Sequence, residues 1–298
     1  MRRISFVRPF CLLLVAAVAF AGFALQSPAQ GASSAQQGPL APTAVSDPAA
    51  VNFLLDAARH YGLGPVNGAP ALAYKLKAQF EVLAPDGSVT DRGKYEEIVK
   101  DALHSRTTYE SNAFKQTKFF NGGPARVTGS RAGMPPDPYN LIILALFQPL
   151  GSEAALRRNL VLEKQAVVRS ENREIAGKPV RCYALTVLRL SPSHGPSATY
   201  CFNEAGTLEQ TTLAVLPSEI VLSVSRTIEY QGRQIPAEVE FRRKDMPGLR
   251  LHVESIEPPN GNDDASFVAL PEAVAPDPIV VHLPNSSVQT APIAPIAK

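Results

Sequence analysis

Histidine, the side chain that most often serves as a metal ligand or a general base, occurs five times in this chain of 298 residues. The five copies fall in five separate predicted elements, and nothing in their spacing would bring several of them onto one metal ion. No nucleophile elbow, zinc-protease helix or phosphate-binding loop occurs either. We therefore predict no catalytic residue, no metal site and no cofactor. The histidines are His60, His104, His194, His252 and His282.

Two groups of carboxylates could support acid–base or calcium chemistry. Glu96 and Glu97 are neighbours in a predicted strand, and because successive strand side chains point to opposite faces, they cannot form a paired acid and base. Positions 260–264 hold two asparagines and two aspartates whose oxygen atoms could bind calcium. This loop lacks the glycine and glutamate at the positions that a calcium-binding loop requires. We expect neither group to act, and we predict that the protein is not an enzyme.

Cys182 and Cys201 lie in two predicted strands, at positions 180–190 and 198–202, that a proline-containing loop joins. The two cysteines are symmetric about the loop centre, so antiparallel pairing places them opposite each other. A redox pair or half of a metal site is the alternative, but no CxxC motif is present and no histidine stands at ligand spacing. We predict a structural disulfide, which contributes about 3 kcal/mol in the chain-entropy model.

The N-terminal segment 1–31 has the pattern of a secretory signal peptide. Three arginines precede an apolar run at positions 10–25, and small and polar residues follow it. The run is shorter than the roughly 20 residues that cross a bilayer, so an uncleaved membrane anchor is the less favoured alternative. We predict cleavage after Gly31 and a periplasmic or otherwise extracytoplasmic location in a bacterial envelope. An even number of cysteines then remains, as expected for an oxidising compartment.

The predicted signal accounts for the basic character of the chain. The full sequence has 29 lysines and arginines against 27 aspartates and glutamates, and three of the basic residues but none of the acidic ones lie in 1–31. The remaining chain has a net charge of −1 and no basic cluster, so we expect no nucleic-acid partner. A hydrophobic fraction of 45% excludes disorder as the main state.

The elements that follow the signal alternate in period. Positions 32–47 form a predicted flexible leader, rich in Ala, Gln, Ser, Gly and Pro. An aspartate cap and a first-turn proline then begin an amphipathic helix at 48–61, which Gly62 and Gly64 end. Positions 74–82 alternate apolar and polar residues, a pattern typical of a half-buried strand with one wet face.

Eleven further strand-like runs succeed one another in hairpins, almost without interleaved helices. This succession predicts an antiparallel meander in an α+β fold. The runs are at positions 93–101, 106–114, 115–121, 125–130, 160–170, 180–190, 198–202, 207–215, 220–230, 237–243 and 249–256.

A short helix at 138–148 interrupts the strands. It is framed by prolines, and its residues 141–147 are apolar on every side, so it has no wet face. It is too short to span a membrane. Either it fills the core, or it covers a cavity whose other wall is the sheet, and the sequence leaves both interpretations open. A second short helix, capped by Ser152, is predicted at 153–158.

The strand pattern fades after position 257. Positions 265–270 are predicted as a last edge segment, which ends a folded domain at 48–270. Positions 271–298 hold six prolines and little charge. They are predicted to form a proline-rich disordered tail.

The order of these elements resembles the LolA/LolB-like superfamily of periplasmic carriers. The matching features are the helix 48–61, the strand 74–82 with its hairpin 85–87, the helix 138–148 and the long meander of the second half. The resemblance covers roughly residues 48–257 and rests on pattern rather than on a unique motif. The chain is also similar to uncharacterised exported bacterial proteins of this shape.

The resemblance implies a strongly curved antiparallel sheet, an unclosed half-barrel, with helices on its concave side. It further implies a hydrophobic cavity that binds lipid or the acyl chains of lipoproteins, with the helix 138–148 as a lid. The alternative is an envelope partner-binding or sensor module whose core is filled and which binds no ligand. After signal cleavage no transmembrane segment is expected. The lid residues would be Leu141, Ile143, Leu144 and Phe147.

Overall fold

The computed structural model describes residues 46–277, except 67, 70, 189–195, 216–217, 262, 264–266, 269 and 271. The predicted signal peptide, nearly all of the predicted leader and the end of the predicted tail lie outside the described residues. The same holds for His194, His282, Asn262 and Asp264.

Within the described residues, twelve antiparallel strands form a single sheet. Their bounds are β1 Tyr74–Leu83, β2 Val89–Asp101, β3 His104–Ser111, β4 Lys115–Asn121, β5 Arg126–Gly129, β6 Ala166–Ile175, β7 Lys178–Val187, β8 Ala198–Phe202, β9 Leu208–Val215, β10 Ser218–Tyr230, β11 Arg233–Arg243 and β12 Met246–Glu257.

The strand order is β5-β4-β3-β2-β1-β12-β11-β10-β9-β8-β7-β6, so two meanders meet at the central pair β1 and β12. The outermost strands, β5 and β6, are not paired with each other, and the curved sheet therefore remains unclosed. This α+β architecture, a curved antiparallel sheet not closed into a barrel, is the fold class that the sequence predicts.

One face of the sheet carries the core and the other carries charge. In β1, Leu76, Ala78 and Phe80 are buried in the core cluster. On the opposite face, Glu81 forms ion pairs with Arg92 at 2.9 Å and with Arg250 at 3.5 Å. The alternation seen in the sequence is the alternation between these two faces.

The described part of the chain also forms three short helices, which pack on the core side: α1 Pro48–His60, α2 Pro136–Phe147 and α3 Glu153–Arg157. The chain from β5 to β6 runs through α2 and α3 and so carries the backbone from one edge of the sheet to the other. α3 continues into a π-helical turn, Arg158–Leu162. The prediction of a strand from position 160 is wrong there, because β6 begins only at Ala166 and the apolar positions before it belong to this turn.

Cys182 and Cys201 are direct partners in the register of β7 and β8. The structure joins them in a disulfide with a Cα–Cα distance of 4.0 Å. They pack with Val180 and Ile175 in a small cluster of their own, separate from the main core. The bond therefore links two neighbouring strands on the face that the helices do not cover.

The described end of the chain lies along the edge strand β5. The N–H of Val127 donates to the carbonyl of Val274 at 2.8 Å, and the N–H of Val274 donates back at 2.9 Å. Arg131 and Asp277 form an ion pair at 3.1 Å further along. Residues 272–277, which belong to the predicted tail, thus cover part of an exposed strand edge.

Candidate functional site

α2 rests on β11 and β12 through a fully buried row of side chains. Ile142, Ala145 and Leu146 are 0% exposed, and Leu141 is 5% exposed. A helix that buries one side this completely fills the core beneath it.

The four residues predicted to form a lid do not share one environment. Leu141 belongs to the buried row, whereas the other three are only partly buried. Leu144 and Phe147 pack against the margin of the core cluster. α2 therefore combines a core-filling side with apolar flanks that stay partly open. The three flank residues are Ile143, Leu144 and Phe147.

The C-terminal end of α2 is bound to the segment that follows α1. The N–H of Leu63 donates to the carbonyl of Leu146 at 2.8 Å, and the N–H of Gly64 donates to the carbonyl of Phe147 at 2.9 Å. A Cβ atom at Gly64 would lie 2.4 Å from the Phe147 oxygen, so only glycine permits this approach. The glycines predicted to end α1 also hold α2.

Two arginines strengthen this attachment. The buried Arg233 donates from Nη1 to the carbonyls of Gly62 at 3.1 Å and Gly64 at 2.6 Å. At the other end of α2, Asp137 lies 3.4 Å from the guanidinium of Arg243. Both ends of α2 are therefore held by polar contacts as well as by the buried row.

A carboxylate lies beside α2 on the core side of the sheet. Glu97 Oε2 accepts hydrogen bonds from the hydroxyls of Tyr74 at 3.0 Å and Tyr95 at 3.1 Å, and Thr107 donates to Oε1 at 3.4 Å. Burial raises the pKa of Glu97 to about 7, although these hydrogen bonds and the charge of Lys118 favour the ionised form. The group therefore changes charge near neutral pH.

Aromatic rings connect this carboxylate to α2. The ring of Tyr74 lies 6.5 Å from that of Phe147, and the ring of Tyr95 lies 6.4 Å from that of Tyr139. Glu96, the neighbour of Glu97, lies across from Lys77 in the register of β1 and β2. By strand alternation its side chain points to the face opposite that of Glu97. The sequence predicts this separation but not the enclosure of Glu97.

An open concavity of about 510 Å³ lies where α1 meets β7 and β8. Its apolar wall consists of three rings: Phe53 stacks on Tyr183 with centroids 4.4 Å apart and meets Phe202 edge-on at 4.9 Å. The volume falls within the roughly 300–1,000 Å³ typical of small-molecule sites. Phe53 is the partly exposed ring of this wall, because Tyr183 and Phe202 are only 5% and 1% exposed, and Pro179 and Val180 complete the apolar lining.

The rim of this concavity is polar. The guanidinium of Arg181 lies 5.9 Å from the centroid of the Tyr183 ring and donates to Ser170 Oγ at 3.3 Å. Glu204 and Asn203, in the turn between β8 and β9, also line the concavity. An apolar interior with a few polar groups at its opening suits an amphiphilic ligand.

The concavity is not predictable from the sequence, although the elements that form it are. Phe53 flanks the apolar stripe of α1 rather than belonging to its centre, and Tyr183 stands directly after Cys182. An aromatic residue at the side of an amphipathic helix, together with aromatics in two paired strands, was the available signal. It does not reveal which rings meet.

Among the described residues, no group of three or more His, Cys, Asp or Glu side chains is placed to hold a metal ion. In the loop that contains Asn260, the carboxylate of Asp263 accepts from Lys75 at 3.1 Å and from the N–H of Asn260 at 2.9 Å. In the same part of the chain, no helix has the length and apolarity needed to cross a membrane.

No protein-family model matches the chain, and no curated protein does. Among solved structures, a LolA superfamily protein from Nitrosomonas europaea matches at 11% identity and a TM-score of 0.42, covering 76% of this chain and 99% of its own. A DUF1329 family protein from Desulfovibrio piger matches at 10% identity and a TM-score of 0.42, and the match covers 74% of this chain and 96% of that protein. A domain assigned to outer membrane lipoprotein sorting, from Vibrio parahaemolyticus, matches at 9% identity and a TM-score of 0.34, and the match covers 73% of this chain and 95% of that domain. The chain is similar to these proteins in fold, which is the resemblance that its sequence predicts.

Proposed function

We propose that this protein is an extracytoplasmic, non-enzymatic binding protein that holds a lipid or an acylated ligand by its acyl chain. The observation that carries the proposal is the concavity beside α1, whose wall is made of the rings of Phe53, Tyr183 and Phe202. The proposed compartment rests on the predicted signal peptide and on the cysteine pair.

The physical basis of the proposal is the burial of methylene groups. Each methylene that leaves water contributes roughly 0.8 kcal/mol, so about ten buried methylenes supply the roughly 8 kcal/mol of micromolar affinity before ordering costs. The rings supply a wall that does not have to be ordered on binding, because they already pack on one another. A preorganised apolar wall favours binding over a wall that must assemble.

The predicted lid remains part of the proposal as a second placement of the ligand. Leu141, Ile143, Leu144 and Phe147 would contact an acyl chain only if it lay along the flank of α2. The partly open flank residues support this placement, and the buried row beneath α2 opposes it.

Displacement of a fluorescent fatty acid by unlabelled fatty acid measures the binding, and two variants locate it. We expect Phe53→Ala to weaken binding about tenfold, because it removes the stacked ring from the wall of the concavity. Leu144→Ala is the matched control on the other helix, and it should bind like wild type. Weaker binding by Leu144→Ala with normal binding by Phe53→Ala would place the ligand under α2 instead.

If the wild type, Phe53→Ala and Leu144→Ala all failed to bind the fluorescent fatty acid, the acyl-binding function would be contradicted. Native mass spectrometry of protein purified from its own envelope provides an independent readout, since a bound lipid is expected to copurify.

The second candidate function is a partner-binding or sensor module that binds no ligand. The buried row of α2 favours it, because a filled core leaves that part of the half-barrel closed. A protein without a copurified lipid and with undetectable fatty-acid binding, but with a specific envelope partner in cross-linking, would establish this alternative.

A further inference from the structure

The concavity beside α1 carries one cation and one anion at its rim. Arg181 and Glu204 both line it, and each has an exposed side chain. Within the described part of the chain neither residue forms an ion pair with another side chain, although most arginines on the opposite face of the sheet do. Two charges of opposite sign thus border one apolar site without neutralising each other.

Arg181 is held in place without being neutralised. Its Nη2 donates to Ser170 Oγ at 3.3 Å, and its guanidinium stands over the ring of Tyr183. Ser170 in turn donates to Asp47 Oδ2 at 3.2 Å, while the other oxygen of Asp47 caps α1 through the N–H of Ala49. The carboxylate of Asp47 is therefore used by the helix cap and by Ser170. The guanidinium keeps donors for an anionic ligand.

Glu204 is placed by the turn that connects β8 to β9. Asn203, at the start of this turn, accepts from the N–H groups of Ala205 at 3.0 Å and Thr207 at 2.9 Å. These bonds fix the backbone on both sides of Glu204, and the carboxylate itself remains available to a donor.

We propose that the concavity selects an acyl ligand whose headgroup is zwitterionic, with its phosphate on Arg181 and its ammonium on Glu204. This inference rests on the proposed acyl-binding function and adds the headgroup class to it. A purely anionic headgroup would meet repulsion from Glu204, and a purely cationic one would meet repulsion from Arg181. A neutral headgroup would leave both charges without a partner.

Four soluble probes with the same myristoyl or myristyl chain test the inference by displacement of a fluorescent fatty acid. They are lysophosphatidylethanolamine, lysophosphatidylglycerol, monoacylglycerol and alkylamine, used below their micelle concentrations. We expect the wild type to bind the zwitterionic probe about fivefold more tightly than each of the other three. Free phosphoethanolamine should not displace the fluorescent ligand, which distinguishes a lipid headgroup from the headgroup alone.

Charge-removing variants assign each half of the headgroup. Arg181→Gln should remove the preference for the zwitterionic probe over the alkylamine, and Glu204→Gln should remove its preference over lysophosphatidylglycerol. Arg92→Gln and Glu229→Gln are the matched controls: both residues are exposed, lie in other strands, β2 and β10, and do not line the concavity, so they should keep the wild-type order.

The outcomes separate the two levels of the proposal. Equal affinity for all four probes in the wild type would overturn the zwitterion inference and leave acyl binding intact. An unchanged order of affinities in both Arg181→Gln and Glu204→Gln would also overturn it. Failure of every probe and of the fatty acid to bind would instead contradict the proposed function.

Discussion

Glu97 is a carboxylate on the core side of the sheet whose surroundings oppose its ionisation. Two tyrosine hydroxyls and a threonine hydroxyl compensate the ionised form, and the surrounding apolar residues oppose it. Burial is the larger effect, so the pKa of Glu97 rises to about 7. A carboxylate of this kind makes stability depend on pH in a range where ordinary carboxylates do not titrate.

The free energy of unfolding should therefore fall as pH rises from about 4.5 to about 7. In that range the unfolded chain has already lost the Glu97 proton while the folded protein still holds it, so the folded state binds more protons and loses stability with rising pH. Glu97→Gln, which stays neutral, should remove this component, on the order of 2–3 kcal/mol between pH 4.5 and 8. Urea unfolding at several pH values measures the effect.

Glu96→Gln is the matched control, because its side chain is on the charged face of the same strand. It should retain the wild-type dependence on pH. If Glu97→Gln and wild type showed parallel pH profiles, the carboxylate would titrate with its ordinary pKa in the folded protein.

Two leucines of α2 that are two positions apart differ in burial. Leu146 is fully buried against the sheet, whereas Leu144 lies at the flank. The apolar run that suggested a lid thus contains both a core-filling set and a partly open set. Only the structure separates them, because a helix that is apolar on every side has no wet face to orient it.

Truncating these two leucines should have very different consequences. Leu146→Ala leaves a void in a closed core and should cost about 2–5 kcal/mol of stability. Leu144→Ala removes a partly exposed side chain and should cost less than about 1 kcal/mol. Thermal melting of both variants measures the difference, and equal losses would show that α2 is packed alike on both sides.

At the scale of elements, the sequence predicts most of what the structure contains. The polar–apolar alternation of β1 and the capped stripe of α1 follow from periods of two and 3.6 residues, and both elements form within a residue or two of their predicted bounds. The turn Arg158–Leu162 was not predictable in the same way. Leu160 is buried and the next two residues, Val161 and Leu162, are apolar, which a strand and a helical turn satisfy equally.

The candidate site was predictable only in part, because its residues are far apart along the chain. The wall of the concavity joins Phe53 to Tyr183 and Phe202, residues that are far apart in the chain and meet only through the sheet order. Local periodicity carries no information on such a meeting. The register of Cys182 and Cys201 was accessible because a single hairpin brings them together.

At the scale of the molecule, an unclosed sheet has two strand edges to protect. The edge of β5 is covered in part by the two backbone hydrogen bonds between Val127 and Val274. An uncovered edge is a template for pairing with another chain.

Val274→Pro should therefore promote self-association. Proline removes the N–H that donates to Val127 and cannot re-form that bond, whereas Val274→Ala keeps it and is the matched control. Size-exclusion chromatography with light scattering should detect dimers or larger species of the proline variant at concentrations where the alanine variant is monodisperse. Identical profiles would mean that the segment 272–277 does not protect the edge.

The position of β12 next to β1 has a consequence for how the chain is made. Each meander is built from pairings between strands close in sequence, but the centre of the sheet joins residues as far apart as Gln79 and Glu254, 175 positions along the chain. Contacts at such separation form late, since a long loop must close before they contribute. Before β12 is available, the first meander therefore has an inner strand, β1, that is paired with β2 on one side only. For a protein that crosses a membrane unfolded, as its predicted signal implies, this dependence delays completion of the fold until nearly the whole chain has emerged on the far side.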